Sequence, residues 1–265
     1  MGNFKGTATF ITGASSGIGA AVAKEIARQG GNVILAARRE ERLQELAAEI
    51  DSMGSKALIT VCDITRDNDL KEAVARADEV FGHIDYVFAN AGFGVAGRFE
   101  RLTLDDFRRQ FDTNVFGVIN TIQATRDHLV ASRGCLAITG SVNGYIATPR
   151  LSAYCMSKFA VHGLANALRY ELRPHGVGVV LIVPGYIATE VRRVDKQGVF
   201  RPEAQDRVPR WLVMAPDKAA RHIVRALYKR KRETIITFHA LFGILLQRYL
   251  PGLVFTVLSR FGNRK

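Results

Sequence analysis

Tyr154 and Lys158 stand four residues apart in a stretch, 154–175, whose apolar spacing predicts a helix. Positions i and i+4 share a helical face, so a phenol and an ammonium can point into one site. At ~4 Å and an effective dielectric of ~20, a cation favours a phenolate by about 4 kcal/mol. That is enough to draw a phenol from its usual ~10 towards neutrality, and Tyr154 would then serve as general acid or base. A lone Y-x-x-x-K is more often a surface lysine beside a half-buried tyrosine. Two further residues change the weighting. Ser141 follows the strand-like run 135–139 at its carboxyl end, where open α/β sheets hold their ligands. Asn114 lies in the middle of a long helical pattern, 103–131, where asparagine is a poor choice unless it makes specific hydrogen bonds.

The segments that must position these groups alternate strand and helix. Residues 7–12 are β-branched and aromatic, hence a strand. Gly13, Ser15, Ser16, Gly17, Ile18 and Gly19 form a glycine turn before the helical segment 20–29. Strand, glycine turn and helix are the setting in which a backbone approaches a dinucleotide pyrophosphate at a helix N-terminus. The second strand, 32–37, ends in Ala37 followed by Arg38 and Arg39. An acid there would hold the ribose hydroxyls of NAD, whereas arginines suit the 2′-phosphate of NADP. The competing reading is an ordinary charged start to the helix predicted over 40–53.

The third strand, 57–61, leads to Asp63 and Ile64, where Asp63 could accept from an adenine amino group or cap the helix predicted over 67–81. A fourth strand, 85–89, runs into Asn90, Ala91 and Gly92, a small-residue turn that allows close cofactor approach. The sixth, 177–183, is apolar throughout, as a strand covered on both faces should be, and ends in Pro184 and Gly185 before Ile187 and Thr189. A helix over 216–229 and a last strand over 234–238 follow. The expected fold is α/β, a single domain built on one doubly wound parallel sheet with helices on both faces.

The 265 residues carry a net charge of +12, which asks for an anionic partner: a phosphorylated cofactor, an acidic membrane or nucleic acid. The basic residues cluster only between Arg221 and Arg232 and without interleaved aromatics, so nucleic acid is the least favoured. Three scattered cysteines without C-x-x-C spacing suggest a reducing, cytoplasmic setting and no metal site. The first residues lack the apolar run of a signal peptide, and Gly6 occupies the place where a myristoylation motif needs Ser or Thr.

Over residues 7–238 the chain resembles the short-chain dehydrogenase/reductase family. The resemblance rests on Thr12-Gly13-x-x-x-Gly17-x-Gly19, Asp63, Asn90-Ala91-Gly92, Asn114, Ser141, Tyr154-x-x-x-Lys158, Pro184-Gly185 and Thr189, all in the family's order and spacing. It implies a Rossmann-type fold and an enzyme that interconverts ketones and secondary alcohols by hydride transfer. In that reading Tyr154 is the acid or base, Ser141 holds the substrate oxygen, and Lys158 binds the nicotinamide ribose and depresses the Tyr154 pKa. Asn114 orders a water that relays protons from Lys158. Ile187, Thr189 and the backbone after Gly185 anchor the carboxamide, Asp63 and Ile64 flank the adenine, and Arg38 goes with NADP. A homodimer or homotetramer is the family's usual assembly.

Residues 190–214 are polar, hold Pro202 and Pro209, and read as a substrate lid. Beyond the expected domain of residues 1–238, the extension 239–265 is more apolar than a soluble tail needs, yet too short and broken to span a bilayer. It can pack on a second subunit or the substrate pocket, lie on an anionic membrane, or belong to the core. Lid and tail together point to a lipophilic substrate. A membrane-peripheral reductase of 3-oxo-acyl or 3-oxo-sphingoid lipids and a non-catalytic NADPH-binding regulator are the alternatives.

Overall fold

The computed structural model describes residues 4–195, 199–201, 203 and 208–262. Seven strands are formed: β1 (Ala8–Thr12), β2 (Asn32–Ala37), β3 (Ala57–Val61), β4 (Tyr86–Ala89), β5 (Cys135–Thr139), β6 (Gly178–Val183) and β7 (Glu233–Ile235). They pair in parallel in the order β3-β2-β1-β4-β5-β6-β7. The order reverses between β1 and β4, which opens a crevice at the strands' carboxyl ends.

Side chains of successive strand residues point to opposite faces, and both faces are buried. Ile11, Val33, Leu35, Ala137, Val180 and Ile182 face a layer built from α1 (Gly17–Arg28), α2 (Glu40–Asp51) and α7 (Pro216–Tyr228). Phe10, Ile34, Leu136, Ile138 and Leu181 face α3 (Asp67–Phe81), α5 (Gly117–Ala131) and α6 (Ser152–Leu172). Each fully buried side chain of this size contributes about 1.5–3 kcal/mol. The two apolar layers fix the register that aligns the strand ends, as a slip of one residue would exchange the faces.

Two expectations change. The helix expected over 103–131 is α4 (Leu104–Phe111), capped by Thr103 and Asp106 in a capping box, then a π turn at Asp112–Phe116, then α5. The strand expected over 234–238 is Glu233–Ile235, which stops where its partner β6 ends at Val183. Phe238 instead opens α8 (Phe238–Tyr249), and α9 (Pro251–Gly262) follows at a bend of 116°. The break is local chemistry: Pro251 has no N–H to offer α8, and it pushes Leu250 out of helical geometry.

The segment expected to form a lid opens with a turn at Glu190–Arg193 and closes with another at Arg210–Leu212. Residues 196–198, 202 and 204–207 of it lie outside the described residues. Ala188 N–H donates to Met214 O at 2.9 Å and Met214 N–H to Tyr186 O at 2.9 Å, so the two ends are stitched together.

Candidate active site

The glycine turn shows why it needs glycine. Gly13 and Gly17 adopt φ of +65° and +56°, and a Cβ on Gly19 would sit 2.3 Å from the Gly13 carbonyl oxygen. Thr12 Oγ1 accepts the N–H groups of Asn90 and Ala91 at 3.0 and 3.1 Å, tying β1 to the end of β4. The Asn90 amide donates to Thr12 O at 3.1 Å, and its oxygen accepts the Thr139 hydroxyl at 3.2 Å. Asn90 therefore braces three strand ends. Thr189 lies against Gly17. The side chain of Ile187 belongs to the core.

The pyrophosphate end fits an anion. The first turn of α1 carries no acidic side chain, and Ser16, at its N-cap, makes no side-chain cap. Its backbone donors and dipole remain available. A cleft of roughly 360 Å³ beside the end of β2 brings Arg38 and Asp63 together with Thr65, Phe93 and Asn120. Asp63 does not cap α3, whose N-cap is Arg66. One of its oxygens accepts the Thr65 N–H and hydroxyl at 3.0 and 2.8 Å. Ile64 is buried against Gly117. The two arginines part ways: Arg39 donates to Ser15 Oγ at 3.2 Å and Ser16 Oγ at 2.7 Å, and pairs with Glu190 at 2.9 Å. Arg38 lines the cleft and makes no ion pair among the described residues. Of the pair, Arg38 lines the cleft, while Arg39 joins the glycine turn to Glu190.

At the opposite side of the switch point, α6 carries Tyr154 and Lys158 towards the end of β5. The Tyr154 side chain hydrogen-bonds Ser141, the pairing the chemistry requires. Lys158 is buried and donates to Thr139 O at 2.8 Å, with Nζ 5.8 Å from the Tyr154 ring centroid. The expected depression of the Tyr154 pKa is not realised: burial pushes the phenol up, and the Ser141 hydrogen bond offsets this only in part. The reason is geometric, since the ammonium is held by the Thr139 carbonyl beside the ring. Burial instead lowers Lys158 to about 8.

Asn114, buried in the π turn, explains its own presence. Its oxygen accepts Phe93 N–H at 3.1 Å, and its amide donates to Phe93 O at 3.0 Å and Ser157 Oγ at 3.3 Å. It clamps the segment after β4 onto α6. Gly92 gives room for Asn114, and Gly94 packs on the Tyr154 ring.

Sequence reading passed over His162, one more turn along α6. The Ser141 N–H donates to His162 Nε2 at 3.3 Å. Accepting there places the ring proton on Nδ1, which is buried without a partner among the described residues. Burial, then the Lys158 charge, lowers His162 to about 4, so the ring is neutral. Cβ atoms on Gly140 or Gly144 would fall 2.5 and 2.4 Å from this ring. Tyr145 packs edge-on against it at 4.8 Å and donates to Glu233 at 2.6 Å. The i, i+4, i+8 spacing of Tyr154, Lys158 and His162 on one helix was the available signal.

On the β6 side, Val142 N–H donates to Pro184 O at 3.2 Å. Gly185 has no room for a side chain against Thr237 and His239 at the start of α8. The site is thus bounded by the ends of β1, β4, β5 and β6, by α6, and by α8.

The sequence profile described as short chain dehydrogenase matches residues 7–199. An A-factor type gamma-butyrolactone 1'-reductase (1S-forming) from Streptomyces virginiae is 40% identical over 185 residues, covering 68% of this chain and 72% of the relative. An 11-beta-hydroxysteroid dehydrogenase A from Sesamum indicum is 33% identical over 238 residues, covering 86% and 67%. Among solved structures, a short chain dehydrogenase from Burkholderia cenocepacia J2315 in complex with NADP superposes with a TM-score of 0.79 at 28% identity, covering 90% of this chain and 99% of that one. With the glycine turn, the parallel sheet and the Ser141, Tyr154 and Lys158 cluster in place, the chain belongs to the short-chain dehydrogenase/reductase family of nucleotide-binding oxidoreductases.

Proposed function

We propose that the protein is an NADP(H)-dependent oxidoreductase that interconverts a ketone and a secondary alcohol on a lipophilic substrate. The observation that carries this reading is the hydrogen-bonded Ser141 and Tyr154 pair at the end of β5 with Lys158 beneath it. Gly13, Gly17, Gly19 and the α1 N-terminus would hold the pyrophosphate, Arg38 the 2′-phosphate, Asp63 and Ile64 the adenine end, and Pro184, Gly185 and Thr189 the nicotinamide end. When bound, NADPH supplies the hydride that reduces the carbonyl carbon.

The chain's own residues manage the oxygen. Ser141 and Tyr154 donate hydrogen bonds to the carbonyl oxygen, which orients it and stabilises the negative charge that develops there. Tyr154 then gives its proton to that oxygen, completing the alcohol. A phenol whose pKa is raised by burial is protonated at neutral pH, the form from which it can donate to the carbonyl oxygen. Lys158, cationic below about 8 and anchored on the Thr139 carbonyl, would hold the nicotinamide ribose.

Residues 1–238 form the catalytic unit in this reading, with 190–214 as lid and 239–265 as an extension whose first helix walls the site. A lipophilic substrate is supported by that wall: α8 packs on the turn after Ser141 and sets Gly243 against Ile146. The relatives named for a steroid and a butyrolactone substrate support the same class. Purified protein should oxidise NADPH when offered hydrophobic ketones. Arg38→Ala should raise the KM for NADPH by about 10-fold or more while leaving that for NADH nearly unchanged. An equal response to both cofactors would refute the 2′-phosphate assignment.

A further inference from the structure

We propose that the helical pair α8–α9 docks the enzyme on an anionic lipid surface, with the mouth of the active site beside the contact. At 100° per residue, Leu241, Leu245, Phe238, Tyr249 and Phe242 fall within an arc of roughly 100° on α8. All five are exposed, Phe238 at 81%, whereas Ala240 on the opposite side is buried. The helix is apolar outwards, the reverse of what a water-facing surface helix shows. In α9 no described side chain is buried: Leu253, Phe255 and Val257 are exposed, and Thr256, Ser259 and Arg260 gather on the remaining side.

Length and charge select the partner. Each helix has 12 residues, about 18 Å of rise, against about 30 Å of bilayer hydrocarbon. No single helix among the described residues is long and apolar enough to cross a membrane, and the pair is bent by 116°. Such a pair lies in the interface plane with its apolar side among the acyl chains. After Glu233 the sequence contains no acidic residue, while Arg248, Arg260, Arg264 and Lys265 are cationic, on a chain of net charge +12. This sign fits an anionic headgroup layer. A second copy of the chain would carry the same positive sign.

The docking face adjoins the site. Tyr186 N–H donates to His239 Nε2 at 3.2 Å, and the two rings stack at 5.3 Å. Tyr186 O also holds Met214, three residues beyond Trp211, which is 83% exposed. Lipid against α8 would therefore lie next to the path into Ser141 and Tyr154. The proposal stands independently of cofactor choice and substrate.

Flotation of the full chain with vesicles tests it. Protein should rise with vesicles of phosphatidylcholine and phosphatidylglycerol in equal parts, less with phosphatidylcholine alone, and less as salt is added. The variant Phe242→Ser/Leu245→Ser/Phe255→Ser, altered only at exposed positions, should keep its unfolding temperature and its NADPH binding yet partition about 100-fold less. Three results would each overturn the proposal: wild-type protein staying in the aqueous phase with anionic vesicles, the variant floating as well as wild type, or the substitutions splitting a dimer without altering flotation.

Discussion

A phenol that is to give up a proton at neutral pH must first keep it, and burial at Tyr154 secures that. Tyr154→Phe removes the proton while preserving the ring that packs on Gly94, so kcat should fall by about 10²-fold or more with NADPH binding intact. Unchanged turnover would remove Tyr154 from the chemistry. Lys158 sets the pH response. Its depressed pKa means that it is charged below about 8 and neutral above. Since that charge would help hold the nicotinamide ribose, kcat/KM for NADPH should hold at lower pH and decline as pH rises through about 8. A profile that rises through that range would contradict this role. His162 acts through Ser141, as a positioning residue. In His162→Leu the buried Ser141 N–H loses its acceptor, a cost of about 1–3 kcal/mol. Turnover should drop by about tenfold with the KM for NADPH unchanged, and His162→Gln, which restores an acceptor, should recover part of it.

At the scale of elements, two helical glycines should behave oppositely. Gly19 opens α1 with no space for a Cβ before the backbone oxygen of Gly13. Gly19→Ala must spread the turn, and NADPH affinity by fluorescence titration should fall about tenfold or more. Gly163 lies exposed within α6 with open space around it. Gly163→Ala should stabilise the protein by roughly 0.5–1 kcal/mol in chemical denaturation, because alanine loses less backbone entropy in a helix. The π turn at Asp112–Phe116 is an element-scale device too, since it places Asn114 where one side chain clamps both Phe93 and Ser157.

The whole molecule divides its apolar surface unequally between the sheet and the tail. α8 has an inner face held by Gly185, Ile146 and Tyr186, whereas α9 rests on α8. Ending the chain after Leu250 should leave the thermal unfolding midpoint within about 2 °C, while ending it after Thr237 should lower it by several degrees or more. Equal losses would show that α9 packs on the body. The cysteines add no covalent brace: Cys62, Cys135 and Cys155 are buried free thiols.

Local patterns suffice for much of this protein. β-branched runs, turn glycines and amphipathic spacing are short-range signals, and they determined the alternating elements, the parallel sheet and the family. They also marked Tyr154, Lys158, Ser141 and Asn114, whose spacing or placement at element ends is visible in the chain itself. Tertiary structure decided what depends on neighbours distant in sequence. Arg38 and Arg39 are adjacent and chemically alike, yet only the approach of Ser15, Ser16 and Glu190 turns Arg39 aside. The Tyr154 pKa moves opposite to the pairwise expectation because Thr139, brought in by β5, claims the lysine. His162 has no meaning until Gly140, Ser141 and Gly144 fold over it. Apolar content in the tail was visible from composition, but which side faces outwards was not. A helix's exposed arc is defined only by what packs against the other side.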